Sequence, residues 1–162
     1  MAFGVATHMI TRLMIVDDEL HDIGFMMQFF KEALPACQFE TFSSAEDALS
    51  RLHFAEAKGD NPQLHEDPDI IILDLSLGAM NGFEFLKALR SDEMTRHIPV
   101  VVISGDSSRQ AVDRAYELGA NAMFHKPQSL DGYRTMIESI VAYWAQTARH
   151  GGAAADRPER AA

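Results

Sequence analysis

Residues 68–82 read PDIIILDLSLGAMNG. Four apolar residues, Ile70 to Leu73, run together, and Asp74 closes the run. A short continuous apolar run bounded by turn formers is the pattern of a strand covered on both faces. A carboxylate at its end is costly unless something compensates it. The fold follows from the run, and the function from what compensates Asp74.

Similar runs recur on either side. Residues 10–16 read as a buried strand and residues 99–103 as another, while 38–42 alternate and 122–124 form a short fifth strand. Helical patterns separate them. The first spans 20–34 and stops before Pro35. The second runs to 57 behind a capping box at Ser43 and Glu46. The third covers 81–90, with Asn81 and Glu84 at the same spacing. The fourth is framed by Ser107 and Gln110 and leads to 118, and the fifth covers 130–148. Residues 58–68 are rich in turn formers. Strict alternation of strand and helix predicts βαβ units and a parallel α/β sheet. Residues 10–148 then make one domain, with a short extension at 1–9 and a tail at 149–162 that has lost all periodicity and reads as disordered.

The 162 residues are 47% hydrophobic, enough for one packed core, and carry a formal net charge of −10. That acidity argues against nucleic acid and anionic membrane as partners. No run approaches a membrane span, and the first nine residues do not make a signal peptide. A single cysteine, Cys37, excludes an internal disulfide. A cytoplasmic protein is expected.

Open α/β sheets bind ligands beyond the carboxyl ends of their strands. Strand one ends in Asp17 and Asp18, strand three in Asp74, strand four in Ser104 and strand five in Lys126, followed by Pro127. Three carboxylates in one crevice repel one another, and a hard oxygen-binding cation such as Mg2+ resolves that repulsion. Asp74 then suits a carboxylate nucleophile that forms an aspartyl-phosphate. Lys126 and the Ser104 hydroxyl are of the types that steady the phosphoryl oxygens.

With Asp17-Asp18 after MIV, Asp74 in IILDL, Gly82, Ser104 in VVISGD and Lys126-Pro127 in order, residues 13–144 resemble the response-regulator receiver domain of two-component signalling. The segments PDIIILDLSLGAMNGFEFLKALR and ELGANAMFHKP resemble the single-domain regulators paired with phytochrome histidine kinases. The resemblance implies a flavodoxin-like, doubly wound, five-stranded sheet of order 2-1-3-4-5 with five helices. It implies that Asp74 accepts phosphate from a histidine kinase, and the likeness to the phytochrome-paired regulators points to a bacteriophytochrome. Mg2+ is then held by Asp17, Asp18, Asp74 and the Ser76 backbone carbonyl. Ser104 and Lys126 bind the phosphate, Ser76 and Asp106 tune its loss, and the bond before Pro127 is cis. The switch aromatic of the family is here Met123, and alternation turns the ring of Phe124 to the opposite face. Gly78 replaces a frequent proline.

The fifth helix carries an apolar stripe of Leu130, Tyr133, Met136, Ile137, Ile140, Val141 and Trp144, with Tyr143 beside it. Tyr143 and Trp144 are candidates for a homodimer interface. No output domain is expected after the fifth helix. Signalling is then through protein contacts or relay to a histidine phosphotransfer protein. Two other readings compete. A Mg2+-dependent phosphohydrolase needs an acid/base carboxylate two residues after its nucleophile, and that position is Ser76. A phosphorylation-independent docking module has no use for the acidic cluster or Lys126, while Met123 in the switch position leaves that reading open.

Overall fold

The structure, a computed structural model, describes residues 10–57 and 66–147. The extension at 1–9, most of the 58–68 loop and the tail at 149–162 lie outside the described residues. Ten elements alternate: β1 (Arg12–Val16), α1 (Leu20–Ala33), β2 (Gln38–Phe42), α2 (Ala45–Ala57), β3 (Ile70–Asp74), α3 (Gly82–Ser91), β4 (Val100–Ser104), α4 (Arg109–Glu117), β5 (Ala122–His125) and α5 (Leu130–Thr147). The five strands are parallel in the order β2-β1-β3-β4-β5, the doubly wound arrangement. No helix among the described residues is long and apolar enough to cross a membrane.

Every residue of β3 and β4 is buried, whereas the edge strands β2 and β5 are partly exposed. The central strands are nearly continuous apolar runs, polar only at their ends, because helices cover both faces. Met14, Val16, Ile71 and Leu73 join one core beneath α2, α3 and α4; Leu13, Ile15, Ile70 and Ile72 join the other beneath α1 and α5. The period of two along each strand feeds these two cores. In β5 it sends Met123 to the first and Phe124 to the second, as expected.

Capping fixes where the helices start. Asn81 and Glu84 form both halves of their box, Oδ1 of Asn81 accepting from the Glu84 N–H at 3.0 Å and Oε2 of Glu84 from the Asn81 N–H at 3.2 Å. The other two caps sit one residue later than the spacing suggested. Ser44, not Ser43, accepts from the Asp47 amide, and Ser108, not Ser107, from the Ala111 amide. Adjacent serines offer equivalent hydroxyls, and the path of the loop selects the one three residues before a free N–H. Leu130 departs from the expected stripe: at the rim of α5 it is 50% exposed, and burial begins at Tyr133.

Gly82 sets α3 against the end of β3. Its N–H donates to the Leu75 carbonyl at 3.0 Å, and a Cβ there meets the Asp74 carbonyl oxygen at 2.5 Å. Backbone on both sides cannot yield as a side-chain tip does. Gly82→Ala is therefore expected to cost about 2 kcal/mol by overpacking, read as a lower midpoint in urea unfolding.

Candidate functional site

The strand order reverses between β1 and β3, and the polar ends gather there and along the neighbouring strands. Asp17 and Asp18 follow β1, Asp74 and Ser104 close β3 and β4, and Lys126 follows β5. Asp17, Asp74 and Ser104 are buried; Asp18 is exposed at the mouth. Each of the three aspartates offers a carboxylate oxygen within 4.8 Å of the others.

Lys126 enters this group from the far side. Its Nζ donates to Asp74 Oδ2 at 3.0 Å and to Asp22 Oδ2 at 2.6 Å. It lies 3.1 Å from Asp17 Oδ2, close enough for an ion pair but without hydrogen-bond geometry. Asp17 Oδ2 is thus a buried oxygen that receives no hydrogen bond. Oδ1 of Asp17 accepts from the Glu19 amide at 2.8 Å. A buried carboxylate with one oxygen held only by the ion pair with Lys126, grouped with two further carboxylates, fits a hard divalent cation.

The charges shift one another. Burial, reinforced by the charge of Asp74, pushes the Asp17 carboxyl up to about 6 against the pull of the Glu19 amide and Lys126. Burial alone would raise Asp22, but hydrogen bonds from Lys126 and Tyr133 outweigh it and hold Asp22 below the usual range. Burial opposes the charge on Lys126, yet its carboxylate partners raise it above an ordinary lysine.

The Asp17 shift has a sign. A carboxyl raised in the folded state favours folding below its unfolded value of 3.8, and that advantage is lost as pH rises through about 6. In chelator, the parent is expected to lose about 2 kcal/mol relative to Asp17→Asn between pH 4 and pH 7. Mg2+ should remove most of that difference. Urea unfolding at stepped pH, with and without Mg2+, measures both.

The loop residues close the pocket. Asp74 Oδ1 accepts from the Ser76 amide at 3.1 Å, and Ser76 is exposed. Ser104 Oγ accepts from the Asp106 amide at 3.1 Å. The exposed Asp106 carboxylate accepts from the Ser108 amide at 2.9 Å, which holds it below its ordinary value. One expectation fails. The Lys126–Pro127 bond is trans, as is every peptide bond among the described residues. Trans is the lower-energy form even before proline, and Lys126 reaches all three carboxylates without isomerisation.

Two groups escaped the sequence reading. Asp22, in the first turn of α1, and Tyr133 of α5 meet at 2.8 Å, the tyrosine hydroxyl donating to Asp22 Oδ1. In the sequence Tyr133 falls in the apolar stripe of the fifth helix. A buried tyrosine hydroxyl requires a partner, and that rule was the available signal. At the far end of α5, the Tyr143 ring lies edge-on to Trp144 at 4.9 Å. Tyr143 is 44% exposed, and Trp144 packs on the second core.

A doubly wound sheet with clustered aspartates and a lysine at its carboxyl edge defines an α/β protein with an acid pocket. Residues 13–138 match the response regulator receiver domain, and the chain belongs to that family. It is 27% identical over 130 residues to the chemotaxis protein CheY of Pseudomonas aeruginosa, spanning 80% of this chain and 94% of that protein. The structure of the phosphorylated cyanobacterial phytochrome response regulator RcpA superposes with a TM-score of 0.74 at 24% identity, covering 85% of this chain and 95% of that one. A response regulator in red light signaling of R. palustris superposes with a TM-score of 0.68 at 25% identity, covering 83% and 91%. The protein is a receiver domain of two-component signalling, and membership implies a histidine kinase as partner.

Proposed function

We propose that this receiver takes a phosphoryl group from a histidine kinase onto Asp74 and signals through protein contacts or phosphorelay. The observation that carries this reading is the Lys126 ammonium at 3.0 Å from a buried Asp74 carboxylate that shares a crevice with Asp17 and Asp18. Asp17, Asp18, Asp74 and the Ser76 carbonyl are the groups that would hold Mg2+. The bound ion supplies positive charge beside the transferring phosphoryl oxygens.

The chain's own groups do the rest. An Asp74 carboxylate oxygen attacks phosphorus, and the bond from phosphorus to the donor imidazole breaks. Its electron pair stays on the imidazole nitrogen, which takes up a proton. Lys126 neutralises one phosphoryl oxygen, and the Ser104 hydroxyl turns from the Asp106 amide toward another. Ser76 and Asp106 flank the acyl phosphate and govern the approach of water. Met123, in the position of the family's aromatic switch, repacks as a flexible thioether side chain. The neighbour from R. palustris, a response regulator in red light signaling, supports a red-light-sensing kinase as the donor, and a bacteriophytochrome is the kinase of that kind that the sequence resemblance implies. The exposed Tyr143 edge beside Trp144 supports a homodimer through the end of α5.

Incubation with Mg2+ and a small acyl phosphate tests the central step. Intact mass should rise by one phosphoryl group, and chelation should suppress the gain. A protein that takes up no phosphate under these conditions overturns the proposal.

A further inference from the structure

Lys126 has a third carboxylate partner that the acid pocket does not require. Asp22 comes from α1, Lys126 follows β5 and Tyr133 lies on α5, so three separate elements converge on one carboxylate. Each Asp22 oxygen has its own donor: Oδ1 takes the tyrosine hydroxyl at 2.8 Å, and Oδ2 the ammonium at 2.6 Å. The latter is the shortest of the lysine's three contacts. Tyr133 cannot swing away, because it is 3% exposed and its ring packs against Phe25 at 5.6 Å.

A lysine on a four-carbon stem has many rotamers, and a charged contact holds it only if the partner is itself fixed. Asp17 and Asp74 belong to the group that fits a cation; Asp22 does not. Its contact with Lys126 therefore does not use a carboxylate from the cation-fitting group.

We infer that Asp22 is a positioning residue for phosphoryl transfer, its carboxylate locked by the Tyr133 hydroxyl and holding the Lys126 ammonium against Asp74. This rests on Asp74 being the phosphoryl acceptor. An ion pair that merely ties α1 to α5 would contribute to stability and leave the transfer rate alone.

The test uses the full chain with acetyl phosphate at saturation and Mg2+. Asp22→Ala should slow phosphoryl uptake about tenfold, and Tyr133→Phe about threefold, because a misplaced lysine loses alignment with the reacting group. Mg2+ affinity, measured by calorimetry, should stay within about twofold, since Asp22 lies outside the cation-fitting group. Asp22→Asn keeps an oxygen acceptor of the same shape and should recover most of the rate. An unchanged rate in Asp22→Ala overturns the inference, and so does a loss matched by an equal fall in Mg2+ affinity. If the parent takes up no phosphate, the proposed function fails, and the tyrosine titration then decides the clamp by itself. Tyrosinate absorbance should appear at lower pH in Asp22→Asn than in the parent; coincident curves overturn the clamp.

Discussion

Asp74→Asn is expected to take up no phosphoryl group from acetyl phosphate and Mg2+, while folding more stably than the parent in chelator. Asparagine has the shape of aspartate but no carboxylate to attack phosphorus, so the loss should be complete rather than partial. The gain in stability has a separate origin. Asp17 and Asp74 are both buried, and the charge on Asp74 helps push Asp17 up to about 6. Three aspartates share one ammonium and Asp18 lies beside two of them, so removing a negative charge relieves repulsion that Lys126 does not balance. Relief of that push on Asp17 is expected to gain about 1 kcal/mol at neutral pH. Intact mass reads the first effect and urea unfolding with chelator the second. A phosphorylated Asp74→Asn protein would remove the acceptor role, and a less stable one would remove the repulsion.

Lys126→Met should act in the opposite direction on stability. Methionine fills much of the lysine stem but leaves Asp17, Asp22 and Asp74 without their shared cation. Breaking a buried ion pair by removing one partner typically costs about 3 kcal/mol, and here three carboxylates lose the same partner. The deficit should depend on pH in a definite sense. Lys126 lowers both Asp17 and Asp22, so its removal raises their folded-state values. Raised carboxyls favour folding at low pH and disfavour it as pH climbs through their new values. The gap between variant and parent should therefore shrink steadily as pH falls, smallest at about pH 4 and below and largest at pH 7 and above. Mg2+ should restore part of the loss, because a ligand that binds only the folded state stabilises it. Phosphoryl uptake should be strongly slowed even when Mg2+ has restored the fold. A deficit independent of pH would show that the lost packing of the stem, not charge, dominates.

Much of this was legible one residue at a time. The unbroken apolar run of β3 announced a strand buried on both faces, and Asp74 at its end announced a site. Asp17, Asp18, Ser104 and Lys126 could be assigned to the same edge because parallel strands align their carboxyl ends. The Asn81–Glu84 box was legible because its partners are three residues apart and no second asparagine competed. The serine pairs at 43–44 and 107–108 were ambiguous for the opposite reason. Met123 and Phe124 fell to opposite faces because strand geometry allows nothing else.

The conformation at Pro127 and the partnership of Asp22 were of another kind. The peptide bond before a proline depends on an energy difference of only about 0.5–1 kcal/mol, which the surrounding fold decides. Asp22 and Lys126 are separated by 104 positions, and Asp22 and Tyr133 by 111. No periodicity spans such distances. What the residue order determined unaided was the alternation of elements, the two-faced sheet and the chemical types waiting at its edge, since those follow from local pattern and burial. Only the packing of α1 against α5 decided that a surface-seeming aspartate would meet a core tyrosine and the pocket lysine, because that meeting depends on how distant segments come together in space.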